Sequence, residues 1–183
     1  IVSTLQTLSH QILENNSSKQ VIQIPKLLQS LFELSRYKVE THLREEIDRL
    51  RLEVRSFSRK CLYCIQFKGD AQAQSDLVTQ GYGRVMSISI CTAGGKGEEQ
   101  DEKIYNGLGR ITDFLIGLHL GRTQQPSFQP LPLLARRSEE QIEEEGADEE
   151  LEAQMNNNGD YGHIRNWAKW AKAMTLNSFI NWD

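Results

Sequence analysis

The chain has 183 residues, a formal net charge of −4 and a hydrophobic fraction of 38%. This composition is typical of a globular protein and excludes a wholly disordered, collagen-like or disulfide-rich chain. No run of apolar residues is long enough to span a bilayer, so we predict no transmembrane segment.

The charge is segregated along the chain. Residues 139–152 hold nine acids and no base, whereas residues 1–137 hold 18 basic and 14 acidic residues. The three cysteines cannot form a disulfide framework, which favours a reducing compartment. We therefore expect an intracellular protein of the cytoplasm or nucleus. The first residue is Ile1 rather than Met, which we interpret as a fragment or a processed form.

The first region, residues 1–66, is predicted to be helical throughout. Apolar residues at helical spacing predict a short helix over 1–14, and the sequence Asn-Asn-Ser-Ser at 15–18 ends it. Pro25 then occupies a position where a helix begins. Because residues 26–66 contain neither Gly nor Pro, we predict one long helix over 26–66.

A heptad pattern runs along the predicted long helix. Its apolar residues are alternately four and three positions apart, as in the a and d positions of a coiled coil. This set comprises Leu43, Ile47, Leu50, Val54, Phe57, Cys61 and Cys64. Packing inside a helical bundle is the favoured interpretation, and a coiled coil with a partner helix is the alternative.

Residues 67–122 are predicted to form a small α/β extension. Met86, Ile88 and Ile90 alternate with serines, which predicts a strand over 82–91. A helix follows and ends at Gly121, a typical C-terminal cap. Its predicted buried stripe is Ile104, Leu108, Ile111, Leu115 and Leu118.

Residues 123–162 are predicted to be a linker. The first part contains three prolines, and the second part is the acidic run. Few apolar residues and a high charge predict a segment that does not fold by itself. The linker would tether residues 163–183, which contain all three tryptophans.

The tryptophan-rich segment is predicted to be an amphipathic anchor helix. One face carries Ile164, Trp167, Ala168, Ala171 and Met174, with Trp170 at its flank and Arg165, Lys169 and Lys172 on other faces. Packing back on the protein is the favoured outcome, ahead of a groove on another protein and a membrane surface. The predicted partner-binding residues are Trp167, Trp170, Met174, Phe179 and Trp182.

A second candidate surface is basic. Arg51, Arg55 and Arg59 recur every fourth residue on the long helix, with Arg44 and Lys60 nearby. This spacing predicts a strip that follows a phosphate backbone, although a solvated face or a docking strip for the acidic run is favoured.

Catalytic chemistry has little support in the sequence. Cys61 and Cys64 form a C-x-x-C pair, for which core packing is favoured over metal binding or redox chemistry. The chain lacks the serine-hydrolase elbow and the zinc-protease helix motif. We predict no catalytic residues, no cofactor and no bound metal.

These observations predict a mainly α protein. We expect a helical bundle with one long heptad-patterned helix, a small β element and a tethered C-terminal amphipathic helix. The predicted function is a non-catalytic scaffold or adaptor subunit that binds partner proteins in a larger intracellular hetero-complex. The alternative is a nucleic-acid-associated factor that uses the basic helix face.

Overall fold

The fold is helical, as the sequence predicts. The computed structural model describes residues 1–15, 18–24, 26–37, 44–90, 101–156 and 164–175. These residues form ten helices and no strand. In chain order the helices are α1 (Val2–Asn15), α2 (Ser18–Gln23), α3 (Leu27–Ser35), α4 (Glu45–Lys68), α5 (Ala71–Thr79), α6 (Tyr82–Ile90), α7 (Asp101–Leu120), α8 (Pro132–Glu144), α9 (Ala147–Met155) and α10 (Ile164–Thr175).

The chain divides into two compact units. Unit 1 comprises Ile1–Gln80 and Thr123–Phe128, and so contains α1 to α5. Unit 2 comprises Gly81–Arg122 and Gln129–Asp183, and contains α6 to α10. None of the ten helices combines the length and the apolar character that crossing a bilayer requires.

Helix α4 is the centre of unit 1, and α1, α2, α3 and α5 all pack against it. Its C-terminal half supplies four fully buried side chains: Cys61, Leu62, Cys64 and Ile65. Gln74 of α5 caps the C-terminal end of α4. Its amide nitrogen donates to the carbonyls of Gln66 at 2.8 Å and Gly69 at 3.2 Å. Carbonyls left without a partner at a helix end are thereby satisfied.

The prediction of one helix over 26–66 is wrong. Helix α3 ends where the backbone N–H groups of Arg36 and Tyr37 turn back to the carbonyls of Glu33 and Leu34. Helix α4 begins only after Arg44, which is extended (φ −143°, ψ 143°). Acids at positions 45, 46 and 48 are favoured in a first helical turn by the helix dipole. This signal marked a new helix start.

The heptad set from Leu43 to Cys64, which we name the α4 seam, is buried along only half of its length. Cys61 and Cys64 are fully buried, whereas Ile47 and Leu50 are 38% and 48% exposed. Val54 and Phe57, between them, are half-buried. The stripe therefore begins on the surface of unit 1 and enters its core towards the end of α4. Leu43 lies outside the described residues.

Helix α7 is the centre of unit 2. Its predicted stripe is confirmed, since all five residues from Ile104 to Leu118 are buried. Helices α6, α8 and α10 pack against α7. A Cβ at Gly107 would lie 2.9 Å from Ile90 Cγ2, so glycine permits the close approach of α6. Gly121 ends α7 with a positive φ of 76°, as predicted.

The predicted strand over 82–91 is wrong, because residues 82–90 form helix α6. The buried side chains Tyr82, Val85, Met86 and Ile90 follow helical spacing, while Ile88 is half-buried. A serine hydroxyl reinforces the helix, since Ser87 Oγ donates to the carbonyl of Gly83 at 3.0 Å. Short apolar runs do not distinguish a strand from a buried helix. The small β element is thus absent from the described residues, and Cys91 lies outside them.

The predicted linker over 123–162 is wrong where α8 and α9 form. Four of the five non-acidic residues of the acidic run are buried, namely Gln141, Ile142, Ala147 and Leu151, and Gly146 is exposed. One acid also faces inward, because Glu139 Oε1 lies 2.6 Å from His119 Nε2 of α7. A low apolar content suffices when each apolar residue falls on the same face.

Two leucines of α4 test this division between core and surface. Leu62→Ala should lower the free energy of unfolding by about 2–5 kcal/mol, because it removes fully buried methyl groups. Leu50→Ala is the matched control and should change it by only about 0.5 kcal/mol, since Leu50 is half-exposed. Urea unfolding followed by circular dichroism measures both. Equal losses would contradict the placement of Leu50.

Hydrogen exchange tests the folded state of the acidic run. Amides within Pro132–Met155 should exchange far more slowly than those of an unstructured peptide, because helices α8 and α9 pack in unit 2. Mass spectrometry of the exchanged full chain measures this. Exchange at the unstructured rate throughout these residues would contradict the two helices.

Candidate partner-binding surface

The inner face of α10 packs against α7 and α9 in unit 2. Its buried residues are Ile164, Ala168, Ala171 and Met174, which belong to the predicted face, whereas Trp167 of that face is half-buried. Two of the four are alanines, so the helix backbone approaches its neighbours closely. The predicted anchor helix is therefore part of the fold of unit 2. Phe179 and Trp182 lie outside the described residues.

One edge of α10 is aromatic. Trp167 is half-buried and meets the ring of Tyr105 of α7 edge-to-face, with the centroids 6.2 Å apart. Trp167 also contacts Trp170 at 5.6 Å. Trp170 itself is 59% exposed. The inner indole thus supports the outer one, and the second tryptophan is held on the surface.

The opposite edge of α10 is basic. Arg165, Lys169 and Lys172 follow the spacing i, i+4, i+7, which aligns them along one side of the helix. They line a cleft of about 650 Å³ against the end of α9, and we name it the α9–α10 cleft. Its other lining residues are Glu152, Met155 and Asn156.

The acidic run meets basic side chains of its own unit. In unit 2, Glu144 and Glu145 of this segment pair with Arg84 of α6, the second at 3.6 Å. Glu152 pairs with Lys172 of α10. Most of these side chains are exposed, so each pair adds little stability. They nevertheless orient acids of α8 and α9 towards basic residues of the same unit.

The predicted basic strip of α4 is largely turned inward. Arg51, Arg55 and Arg59 are only 6–7% exposed, whereas Arg44 and Lys60 are exposed. The structure therefore divides the five predicted residues into three buried guanidinium groups and two surface cations.

Two of the buried arginines have defined partners in unit 1. Arg51 Nη1 lies 3.3 Å from Asp48 Oδ1, one turn earlier in α4. Arg55 Nη1 donates to the backbone carbonyl of Tyr37 at 3.2 Å. Arg55 thereby connects the end of the α3 segment to α4, which is a structural use of a guanidinium group.

The C-x-x-C pair is part of the core of unit 1. Cys61 and Cys64 are free thiols and fully buried. The Cys61 thiol donates to the carbonyl of Leu5 in α1 at 3.3 Å. Burial, and to a smaller extent Cys64, raises the pKa of Cys61 to about 12. Core packing is confirmed for this pair, and a thiol with this pKa stays protonated near neutral pH.

The described residues contain no group of three or more His, Cys, Asp or Glu side chains arranged to hold a metal ion. Cys91 and two of the four histidines, His42 and His163, lie outside the described residues. The paired His119 and Glu139 lie inside unit 2, where they connect α7 and α8.

The sequence identified the two tryptophans correctly as neighbours of one surface but missed the cleft beside them. The spacing of Arg165, Lys169 and Lys172 was visible in the sequence. Its opposite wall was not, because Glu152 and Asn156 belonged to a segment predicted to be unfolded. Only the packing of α9 against α10 brings the two walls together.

Comparison with known proteins assigns no family. No protein-family model matches the chain. No curated protein sequence is significantly similar to it.

The reactivity of Cys61 tests the buried pair. In a Cys91→Ser background, a thiol reagent at a pH of about 8 should not label the native protein but should label it in urea, since a raised pKa leaves little thiolate. The raised pKa also predicts that stability falls as pH rises from the ordinary value of 9.0 towards 12, because unfolding releases the proton there. Labelling followed by mass spectrometry and pH-dependent melting measure the two effects. Rapid native labelling would contradict the buried thiol.

Proposed function

We propose that the chain is a non-catalytic helical interaction subunit, a scaffold or adaptor in a larger intracellular protein assembly. The observation that carries the proposal is the exposed indole of Trp170 on α10. Tryptophan is the residue most enriched among those that dominate binding energy. Covering the exposed part of this ring removes on the order of 100 Å² of apolar surface, which contributes about 2–3 kcal/mol.

The support around Trp170 strengthens this proposal. Trp167 packs between Tyr105 and Trp170, so the exposed ring is held before a partner arrives. A side chain that is already ordered loses less conformational entropy on binding. Met174, predicted as a partner-binding residue, is buried in unit 2 and supports the surface from beneath.

The exposed part of the α4 seam is the second surface of the proposal. Ile47 and Leu50 are the apolar residues of α4 that unit 1 leaves most open, apart from Phe67 at the other end of the helix. They continue the a and d positions of the heptad pattern. We propose that a partner helix packs along them and extends the bundle of unit 1, which is the coiled-coil alternative raised by the sequence.

The compartment belongs to the same proposal. Cys61 and Cys64 are free thiols in the core of unit 1. Free buried cysteines are favoured where the cellular environment is reducing. This supports a subunit that works in the cytoplasm or nucleus.

We do not extend the proposal to nucleic acid. The predicted contact strip needs guanidinium groups that reach phosphates in solvent. Arg51, Arg55 and Arg59 are buried, and two of them have partners within unit 1. The observations thus favour a structural role for these arginines.

Replacement of Trp170 tests the proposed function. Trp170→Ala should weaken binding to a native partner by about tenfold or more, because the ring supplies hot-spot contacts. Proteins captured by the tagged full chain are identified first, and the affinity of a purified partner is then measured by calorimetry. Thermal melting should stay unchanged, because the ring is mostly in solvent.

Leu133→Ala is the matched control, since Leu133 is an exposed apolar residue on α8 of the same unit. It should leave the affinity for the partner unchanged. If wild type and both variants bind the same proteins with equal affinity, Trp170 is not a docking residue and the proposal is wrong.

A further inference from the structure

The α9–α10 cleft combines an opening of about 650 Å³ with an excess of positive charge. Three of its six lining residues are cations and one is an acid. The acid, Glu152, already pairs with Lys172. Asn156 also belongs to this wall, where its side-chain amide donates to the backbone carbonyl of Glu152 at 3.3 Å.

The two remaining cations have no acidic partner among the described residues. Arg165 and Lys169 are exposed, and neither forms an ion pair there. They are four residues apart and hence neighbours on one edge of α10. The cleft therefore carries two uncompensated positive charges side by side, at a place where the surface is concave.

The proposed docking residue lies across the outer face of α10 from the cleft. Trp170 directly follows Lys169 in α10, and both side chains are exposed. The outer surface of one helix thus offers paired cations on one side and a large apolar ring on the other. A ligand that covers both must carry negative charge next to an apolar group.

We propose that the α9–α10 cleft binds an acidic segment of a partner protein. Carboxylates of the segment pair with Arg165 and Lys169, and a neighbouring apolar side chain of the segment covers Trp170. This inference rests on the proposed function and adds the chemical class of the partner. Arginine suits the contact because its planar guanidinium group donates two hydrogen bonds to one carboxylate.

The surroundings of the cleft favour a short acidic segment over a long polyanion. Glu152 lines the cleft, Glu149 is exposed three residues earlier on α9, and the acids of α8 precede both. A nucleic-acid backbone would extend its phosphates past the cleft towards these carboxylates, which repel it. A short acidic segment needs negative charge at only two positions, opposite Arg165 and Lys169.

A membrane surface is also disfavoured. Interfacial helices insert an apolar face into the lipid. The apolar face of α10, which comprises Ile164, Ala168 and Ala171, is buried against other helices of unit 2. Of the large apolar side chains on α10, only Trp170 and part of Trp167 remain to enter a bilayer.

A pair of synthetic peptides tests the proposal on the full-length chain. One contains two adjacent glutamates next to a leucine, and the other has glutamines in place of the glutamates. The glutamate peptide should bind at least about fivefold more tightly at low ionic strength, and the difference should shrink as salt screens the exposed charges. Calorimetry gives the affinities, and NMR of the Trp170 indole N–H reports whether the leucine covers the ring.

Charge variants then locate the binding site. The double variant Arg165→Ala, Lys169→Ala should lose the preference for the glutamate peptide. The matched control is Arg136→Ala, Arg137→Ala, which changes the net charge equally at exposed positions of α8. It should keep the preference. Both double variants should melt like wild type, since all four side chains are exposed.

Several outcomes would overturn the inference. These are equal binding of the two peptides, equal loss in both double variants, or tighter binding to phosphatidylserine vesicles or to a single-stranded oligonucleotide. A native partner that is lost in Trp170→Ala but retained in Arg165→Ala, Lys169→Ala would overturn the acidic segment alone. Retention of that partner in both variants would overturn the proposed function as well.

Discussion

Burial of the one-sided apolar stripe of α7 is the constraint on which unit 2 depends. Its five stripe residues require cover along the whole length of the helix, and α6, α8 and α10 provide it. Helix α6 is buried over most of its surface, whereas α8 and α10 contribute narrower buried faces. Once α10 is fixed against α7, its remaining edges have no freedom to turn inward. The exposed Trp170 and the basic edge are therefore consequences of how the core is closed, and the candidate surface is as rigid as the packing beneath it.

Sequence periodicity predicted the elements whose apolar residues are plentiful or regularly placed. The stripe of α7 and the inner face of α10 were both recognised, because each repeats through several turns. Helix α6 was mistaken for a strand since serines between Met86, Ile88 and Ile90 imitate alternation. The acidic run was mistaken for a linker because its charge is high and its apolar residues, among them Ile142, Ala147 and Leu151, are few. In both cases tertiary contacts decide the conformation, and these contacts cannot be deduced from the local sequence.

The candidate site was predictable to a similar extent. Trp167 and Trp170 stood out by rarity, and their relative orientation followed from helix geometry. The burial of Arg51, Arg55 and Arg59 could not be predicted. Arginines at regular helical spacing are typical of a solvated face, and only the packing of the neighbouring chain shows that they are covered. The α9–α10 cleft needed both walls to be folded. A site built by two helices is thus harder to predict than a site on one helix, even when every residue is visible.

Exposed apolar residues occur on both units, Ile47 and Leu50 on the first and Trp170 on the second. Each patch is small, and by itself would hold a partner only briefly. Under the proposed function, a partner that has bound one patch and carries a site for the other meets that second patch at a raised effective concentration. Binding then depends on the product of two weak affinities. The proposed assembly would thus gain avidity when both contacts form and lose it when either contact is broken.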